Sequence, residues 1–250
     1  MKNKILTTIA LLLINVICAQ DYTMSLEGIT KVVISSETII IVKPNDDSTF
    51  LIKASENYRN NIAEKSKGLK SISNVGNDNT NYGVEVKKEG NRLIVKGLRE
   101  RREASLVIRL PKTINVSVES LANNGVYVSG FNSEIEVINH HGETLLSEIT
   151  GPIVAENGNG SIKVIFSTLN QSSPMSIVAD NGDIDVSMPS KASATIHAKT
   201  PRGEFFTDFD LTLDRATTST RVKTVKGNLN NGGVTISLQN LKGNIYLRQQ

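Results

Sequence analysis

Tryptophan is absent from this 250-residue chain, and aromatic residues together make up only 4% of it. A binding cleft floored by broad rings is therefore poorly supplied, with five tyrosines as partial substitutes. Cysteine occurs once, as Cys18, and it lies in a leader-like segment, so no disulfide, thiolate-ligated metal or cysteine nucleophile is expected in a processed chain. Charge of one sign is also missing. The chain carries 28 basic and 25 acidic residues, and loss of Lys2 and Lys4 with the leader leaves a net charge near +1. That balance gives no electrostatic footprint for nucleic acid. Beyond the first residues no hydrophobic run is long enough to span a bilayer, which takes about 20 apolar residues in a helix.

The first nineteen residues carry a basic start, Lys2 and Lys4, then an apolar run from Ile5 to Ile17, then Cys18-Ala19. This pattern predicts a secretory signal peptide cleaved after Ala19. Bacterial lipoprotein signals place a small residue directly before the lipidated cysteine. Ile17 stands there instead, with Asn15 at the leucine position, so lipid attachment at Cys18 is disfavoured.

From Ile29 to Leu110 short β-branched segments bordered by turn residues predict strands without a fixed period: KVVISS, TIIIVKP, TFLIKAS, YGVEVKK, RLIVKGL and ASLVIRLP. The Asn-, Ser- and Lys-rich stretch 56–82 lacks an apolar face and reads as an inserted loop, with a functional lid as the sharper alternative. Arg99-Glu100-Arg101-Arg102-Glu103 mixes signs between two strands and reads as a solvated hairpin loop.

Beyond Pro111 an Asn-Gly or related corner followed by alternating apolar residues recurs: NNGVYV at 123–128, NGSIKVIF at 159–166, NGDIDVSM at 181–188, NGGVTISL at 231–238 and KGNIYL at 242–247. Each unit buries one face only and needs a neighbour to cover the rest, which is the logic of a solenoid. Ile162, Val164 and Phe166 alternate with Ser161 and Lys163, and Ile184, Val186 and Met188 with Asp183, Asp185 and Ser187, so one side chain set faces inward and the other meets water. The asparagines beside the corner glycines, Asn124, Asn157, Asn159, Asn181 and Asn231, are expected to stack as amide ladders if the coils lie in register. At about 20 residues per coil, the stretch from Lys112 to Gln250 predicts roughly seven coils.

The pattern predicts an all-β, single-stranded β-solenoid or β-helix-like stack with an irregular β N-terminal part. The expected organisation is a signal peptide at 1–19, an N-terminal β region at 20–110 and a repeat region at 111–250.

Chemistry is thinly written. His140 and His141 are adjacent, so on a strand they point to opposite faces and cannot share one ion, and His197 is expected to face outward. Asp180-Asn181-Gly182-Asp183 with Asp185 has the outline of a calcium turn, but Ser161, Thr144 and Val234 stand where the acid would have to recur. Glu134, Glu136, Asp183, Asp185, Lys163 and Arg202 could furnish an outer face with acid–base groups, yet outward charges are what solubility requires in any case. No catalytic, cofactor-binding or metal-ligating residue is assigned.

Three stretches resemble a known family: RLPKTINVSVES at 109–120, the Gly-x-Ile/Val units from Gly130 to Gly182, and GNLNNGGVTISLQNLKGNIYL at 227–247. Together they resemble the bacterial "putative-adhesin" domain family of exported β-solenoid proteins, formerly a domain of unknown function. The resemblance implies a solenoid without a catalytic signature. It favours an exported, non-enzymatic envelope or surface module of adhesin-like or structural kind. The expected partner is extended, a surface polymer or an envelope protein, and the strand edges at the ends of the stack favour end-to-end self-association. The contrasting expectation is a glycan-active enzyme, a polysaccharide lyase or hydrolase on a β-helix scaffold.

Overall fold

The computed structural model describes residues 21–54, 76–80, 82–98, 105–214 and 223–250. The expected signal peptide, the Arg99–Glu103 loop and most of the 56–82 insertion lie outside the described residues.

Alternation of β-branched and polar residues produces strands throughout. They are β1 (Tyr22–Ser25), β2 (Lys31–Ser36), β3 (Ile39–Asn45), β4 (Thr49–Ala54), β5 (Val84–Glu89), β6 (Arg92–Gly97) and β7 (Ser105–Pro111) in the first part. There follow β8 (Asn115–Asn123), β9 (Val126–Ser129), β10 (Ile135–His141), β11 (Thr144–Ile149), β12 (Ile153–Asn159), β13 (Ile162–Phe166), β14 (Met175–Asn181) and β15 (Ile184–Met188). The chain continues through β16 (Ala194–Lys199), β17 (Phe205–Thr207), β18 (Leu211–Leu213), β19 (Thr224–Leu229), β20 (Val234–Asn240) and β21 (Ile245–Gln249).

These strands form two sheets. Sheet A runs β1-β4-β7-β3-β9-β11-β13-β15-β21-β17, and sheet B runs β18-β19-β16-β20-β14-β12-β10-β8-β2-β6-β5. Each coil gives one strand to sheet B and the next to sheet A, so the chain winds as the sequence predicts, with parallel in-register pairing: Val116 lies beside Ile135, Ile135 beside Ile153, and Ala155 beside Ile177. Inward residues of the two sheets meet in one core, and Val118, Val137, Ile153, Val164, Phe166, Ile177, Val186, Leu238 and Leu247 are all buried. At roughly 25 cal/mol per Å² of apolar surface removed from water, this continuous core is the main force holding the layers together.

Two features depart from a simple coil-on-coil order. The first is at the N-terminal end: β2–β3 lies between β6–β7 and β8–β9, and β6–β7 is the outer layer. The antiparallel strands β1 and β4 on sheet A and β5 on sheet B then cap it, which is the irregular N-terminal part. The second is at the other end, where β20–β21 inserts between β14–β15 and the earlier β16–β17. Residues from Lys112 onward therefore give six coils rather than about seven, because β18 and β19 pair antiparallel beside β16 instead of adding a layer. Asn231-Gly232, expected as a solenoid corner, sits instead in the turn that carries the chain from β19 across the end of β16 to β20, with Gly232 at φ 72 and its N–H bonded to the Leu229 carbonyl.

The corners that join sheet B to sheet A set how closely the layers stack. A Cβ added at Gly160 would lie 1.9 Å from the Gly142 carbonyl oxygen, at Gly182 2.4 Å from that of Gly160, at Gly243 2.0 Å from that of Gly182, and at Gly203 1.9 Å from that of Gly243. Only hydrogen fits in that column. Three positions before each of these glycines stands a residue whose side chain points inside the corner: Asn139, Asn157, Ala179, Asn240 and Thr200, all buried. Asn157 Nδ2 donates to the Gly142 carbonyl at 2.8 Å, Asn240 Nδ2 to Gly182 at 2.7 Å, and Thr200 Oγ1 to Gly243 at 2.8 Å, so each layer is tied to the one beneath. Ala179 leaves that rung unmade. The amide ladder expected from the residues next to the glycines is realised in one step, Asn181 Nδ2 donating to Asn159 Oδ1 at 2.9 Å.

Candidate functional site

Because the backbone groups inside each sheet are used by neighbouring layers, only side chains on the two outer faces and at the ends are free to meet another molecule. Parallel registry arranges them in straight rows along the stack axis, about 4.8 Å apart.

On sheet A the row begins with Lys53 on β4, Val107 on β7, Ile41 on β3, Tyr127 on β9 and Leu145 on β11. It continues through Lys163 on β13, Asp185 on β15, Tyr246 on β21 and Phe206 on β17. Val107, Ile41, Tyr127 and Leu145 are half-buried and side by side, forming an apolar strip flush with the sheet. Lys43 and Arg109 pair across β3 and β7 in the next row. Tyr127 directs its hydroxyl at Glu143 Oε2, 3.5 Å away, and burial followed by that carboxylate pushes the phenol above its usual range.

At the far end of the same row Phe206 and Tyr246 stack, with ring centroids 5.3 Å apart and planes 13° from parallel. The Arg248 guanidinium lies over Tyr246 at 5.0 Å and its Nε donates to Asp185 Oδ1 at 3.0 Å. Phe206 is 48% exposed on the edge strand.

Sheet B is different in character. Its central strands β8, β10, β12 and β14 carry Glu119, Glu136, Glu156 and Asp180, one carboxylate on each. Lys31 Nζ bonds Glu136 Oε2 at 2.8 Å and Ser117 Oγ adds a second bond at 3.0 Å, which together hold the Glu136 carboxyl below its ordinary value against the opposing effect of burial.

The residues weighed from the sequence are scattered across this scaffold. Asp183 Oδ1 accepts the Asn244 N–H at 2.8 Å, and Asp185 is held by Arg248, so both acids of the calcium-like turn are engaged between layers. Glu136 belongs to sheet B, whereas Lys163 and Asp185 belong to sheet A, so the candidate acid–base set does not converge. Glu134 and Arg202 are exposed in turns. His140 Nε2 lies 3.6 Å from Glu119 Oε1, His141 is exposed, and His197 stands on the outer face of sheet B between buried Ile196 and Ala198, its Nε2 buried without a hydrogen-bond partner among the described residues. Among the described residues no group of three or more His, Cys, Asp or Glu side chains is placed to hold a metal. What sequence reasoning missed is the sheet A row. Its members come from nine strands, and only the stacking order, altered at both ends, brings them into line.

A hollow of about 640 Å³ opens near the N-terminal cap, lined by Leu26, Ile29, Thr30, Pro111 and Ile114 among others. Among the described residues no helix is long and apolar enough to cross a membrane.

Residues 126–248 match the family model described as Toastrack DUF4097. No curated protein matches the chain. A crystal structure of a "putative cell adhesion protein" from Clostridium sporogenes ATCC 15579 matches with 9% sequence identity and a TM-score of 0.41, over 92% of this chain and 99% of that one.

Proposed function

From the premise that residues 126–248 of this chain are a Toastrack domain, we propose that the protein is an exported, non-enzymatic envelope or surface module that binds an extended partner in an adhesion-like manner. The observation that supports this reading is the registry of the stack. Glycine corners, buried asparagines and a shared core hold eight layers rigid, so outward side chains form long fixed rows rather than a cleft. A flat row offers many weak contacts whose sum, not any single one, fixes a partner lying along it. Rigidity lowers the entropy lost on binding.

The glycan-active enzyme draws no comparable support. Asp183 and Asp185 are tied into interlayer bonds, and Glu136 lies on sheet B, the opposite face from Lys163 and Asp185.

The test pairs two measurements on the purified chain from Asp21 onward. Cosedimentation with isolated envelope material is expected, together with no release of reducing ends or unsaturated products from envelope and plant polysaccharides. Turnover abolished by Asp183→Ala or Asp185→Ala would defeat the binding-module reading.

A further inference from the structure

Six adjacent strands of sheet A, β4, β7, β3, β9, β11 and β13, carry the cations Lys53, Arg109, Lys43 and Lys163, and one carboxylate, Glu148, in a bulge of β11. None of the four cations is ion-paired with a described carboxylate. Asp185 stands beside Lys163 on the next strand, β15, where it is engaged by Arg248, and Asp46, Asp47 and Glu143 stand in turns at the strand ends. Between the cations lies the strip of Val107, Ile41, Tyr127 and Leu145. On the opposite face four consecutive strands carry one carboxylate each, of which Glu136 is paired with Lys31.

We propose that this face of sheet A binds an acidic polysaccharide lying along the stack axis, with its carboxylates on Lys53, Lys43, Arg109 and Lys163 and the apolar faces of its sugar rings on the Ile41–Tyr127–Leu145 strip. The proposal rests on the binding-module reading and names the chemistry of its partner. Charge complementarity selects an anion, because Lys53, Arg109 and Lys43 gather on the adjacent strands β4, β7 and β3 without an ion-pair partner among the described residues, and Lys163, five strand steps or about 24 Å from Lys53, ends the positive stretch beside Asp185. The apolar strip selects a polymer with hydrophobic ring faces over a purely ionic one.

Two other anionic partners fit less well. A membrane surface calls for side chains that reach beneath the headgroups, and the strip is half-buried and flush, with none of its residues among the exposed large hydrophobics. An acidic peptide gains most of its affinity by backbone pairing at a sheet edge, and the interior of this face has its backbone groups already bonded between layers.

The experiment measures binding of the purified chain from Asp21 onward to polygalacturonate, dextran, poly-glutamate and vesicles of anionic phospholipid, at 20 and 300 mM salt, with envelope cosedimentation in parallel. Polygalacturonate should bind, weaken with salt as screened charges do, and lose about tenfold or more in affinity in the Lys43→Glu/Lys53→Glu variant. Tyr127→Ala should weaken it at both salt concentrations. The control Lys199→Glu, on sheet B, should leave binding within about twofold, and circular dichroism and the unfolding midpoint verify that each variant folds. Equal binding of dextran, preference for vesicles or poly-glutamate, or indifference to the double charge reversal would each overturn the proposal. Envelope cosedimentation that survives while polygalacturonate fails removes this partner alone, whereas loss of both removes the binding-module reading as well.

Discussion

Replacing Gly160 by alanine tests the idea that the column of corner glycines sets the layer spacing. The added Cβ would stand 1.9 Å from the Gly142 carbonyl oxygen, where contacts under 3.0 Å essentially never occur, so the two layers must separate locally by roughly 1 Å. Three bonds cross that seam at 2.8 to 2.9 Å: Gly142 N–H to the Asn159 carbonyl, Thr144 N–H to the Ser161 carbonyl, and Asn157 Nδ2 to the Gly142 carbonyl. Stretched by about that much, each passes out of hydrogen-bonding range. At about 1 kcal/mol apiece the loss is roughly 3 kcal/mol. The control is Gly90→Ala in the β5–β6 turn, where φ is +63 and nothing lies within 4 Å, so only the left-handed backbone conformation is penalised, at about 1–2 kcal/mol. Urea unfolding followed by far-ultraviolet circular dichroism reads the difference. With a slope of about 2–3 kcal/mol/M, Gly160→Ala should lower the midpoint by about 1 M or more, and clearly further than Gly90→Ala. Equal midpoints for the two variants would refute the close-approach argument.

Ala179→Asn should supply the missing rung by donating to the Gly160 carbonyl, as Asn157 and Asn240 do one layer before and after it, and raise stability by about 1 kcal/mol. A lower urea midpoint would show that the corner is not equivalent in that layer. Glu136→Gln removes a half-exposed ion pair, so its cost at neutral pH should be at most about 1 kcal/mol. Because the folded state holds this carboxyl below its ordinary value, the stabilisation is present above that value and lost as the pH falls through the folded one. The difference between wild type and variant should therefore close in acid, and a gap that persists at pH 3 would assign the cost to packing instead.

The winding of the chain was legible in the sequence wherever a corner glycine preceded alternating apolar residues, as at Gly160-Ser161-Ile162 and Gly182-Asp183-Ile184. The corner at Gly243 was legible for the same reason. Asn231-Gly232 carries an equally good local signal and serves a different turn, because a residue pair that tolerates positive φ satisfies a crossover as well as a coil corner. The buried rungs Asn139, Asn157, Asn240 and Thr200 also left a trace, a polar residue three positions before each glycine. That trace was obscured by the asparagines immediately beside the glycines, which draw attention first. Stacking order had no local signature. The positions of β2–β3 and β20–β21 depend on which apolar faces remain uncovered once the other layers form, and that is a property of the whole stack. The basic residues on sheet A were invisible for the same reason, since Arg109 and Lys163 are far along the chain from Lys43 and Lys53 and near neutrality overall hides a local excess.

The interleaved position of β20–β21 constrains how this molecule can assemble. A solenoid whose order in space follows its order in synthesis can zip from one end, each new turn templated by the last. Here β16–β17 is made before the strands that join it to β14–β15, so it must wait as an unjoined flap until the later pair slides into the slot. Closure at that slot buttons two otherwise separate stretches into one cooperative unit, and the stack then resists peeling from that end.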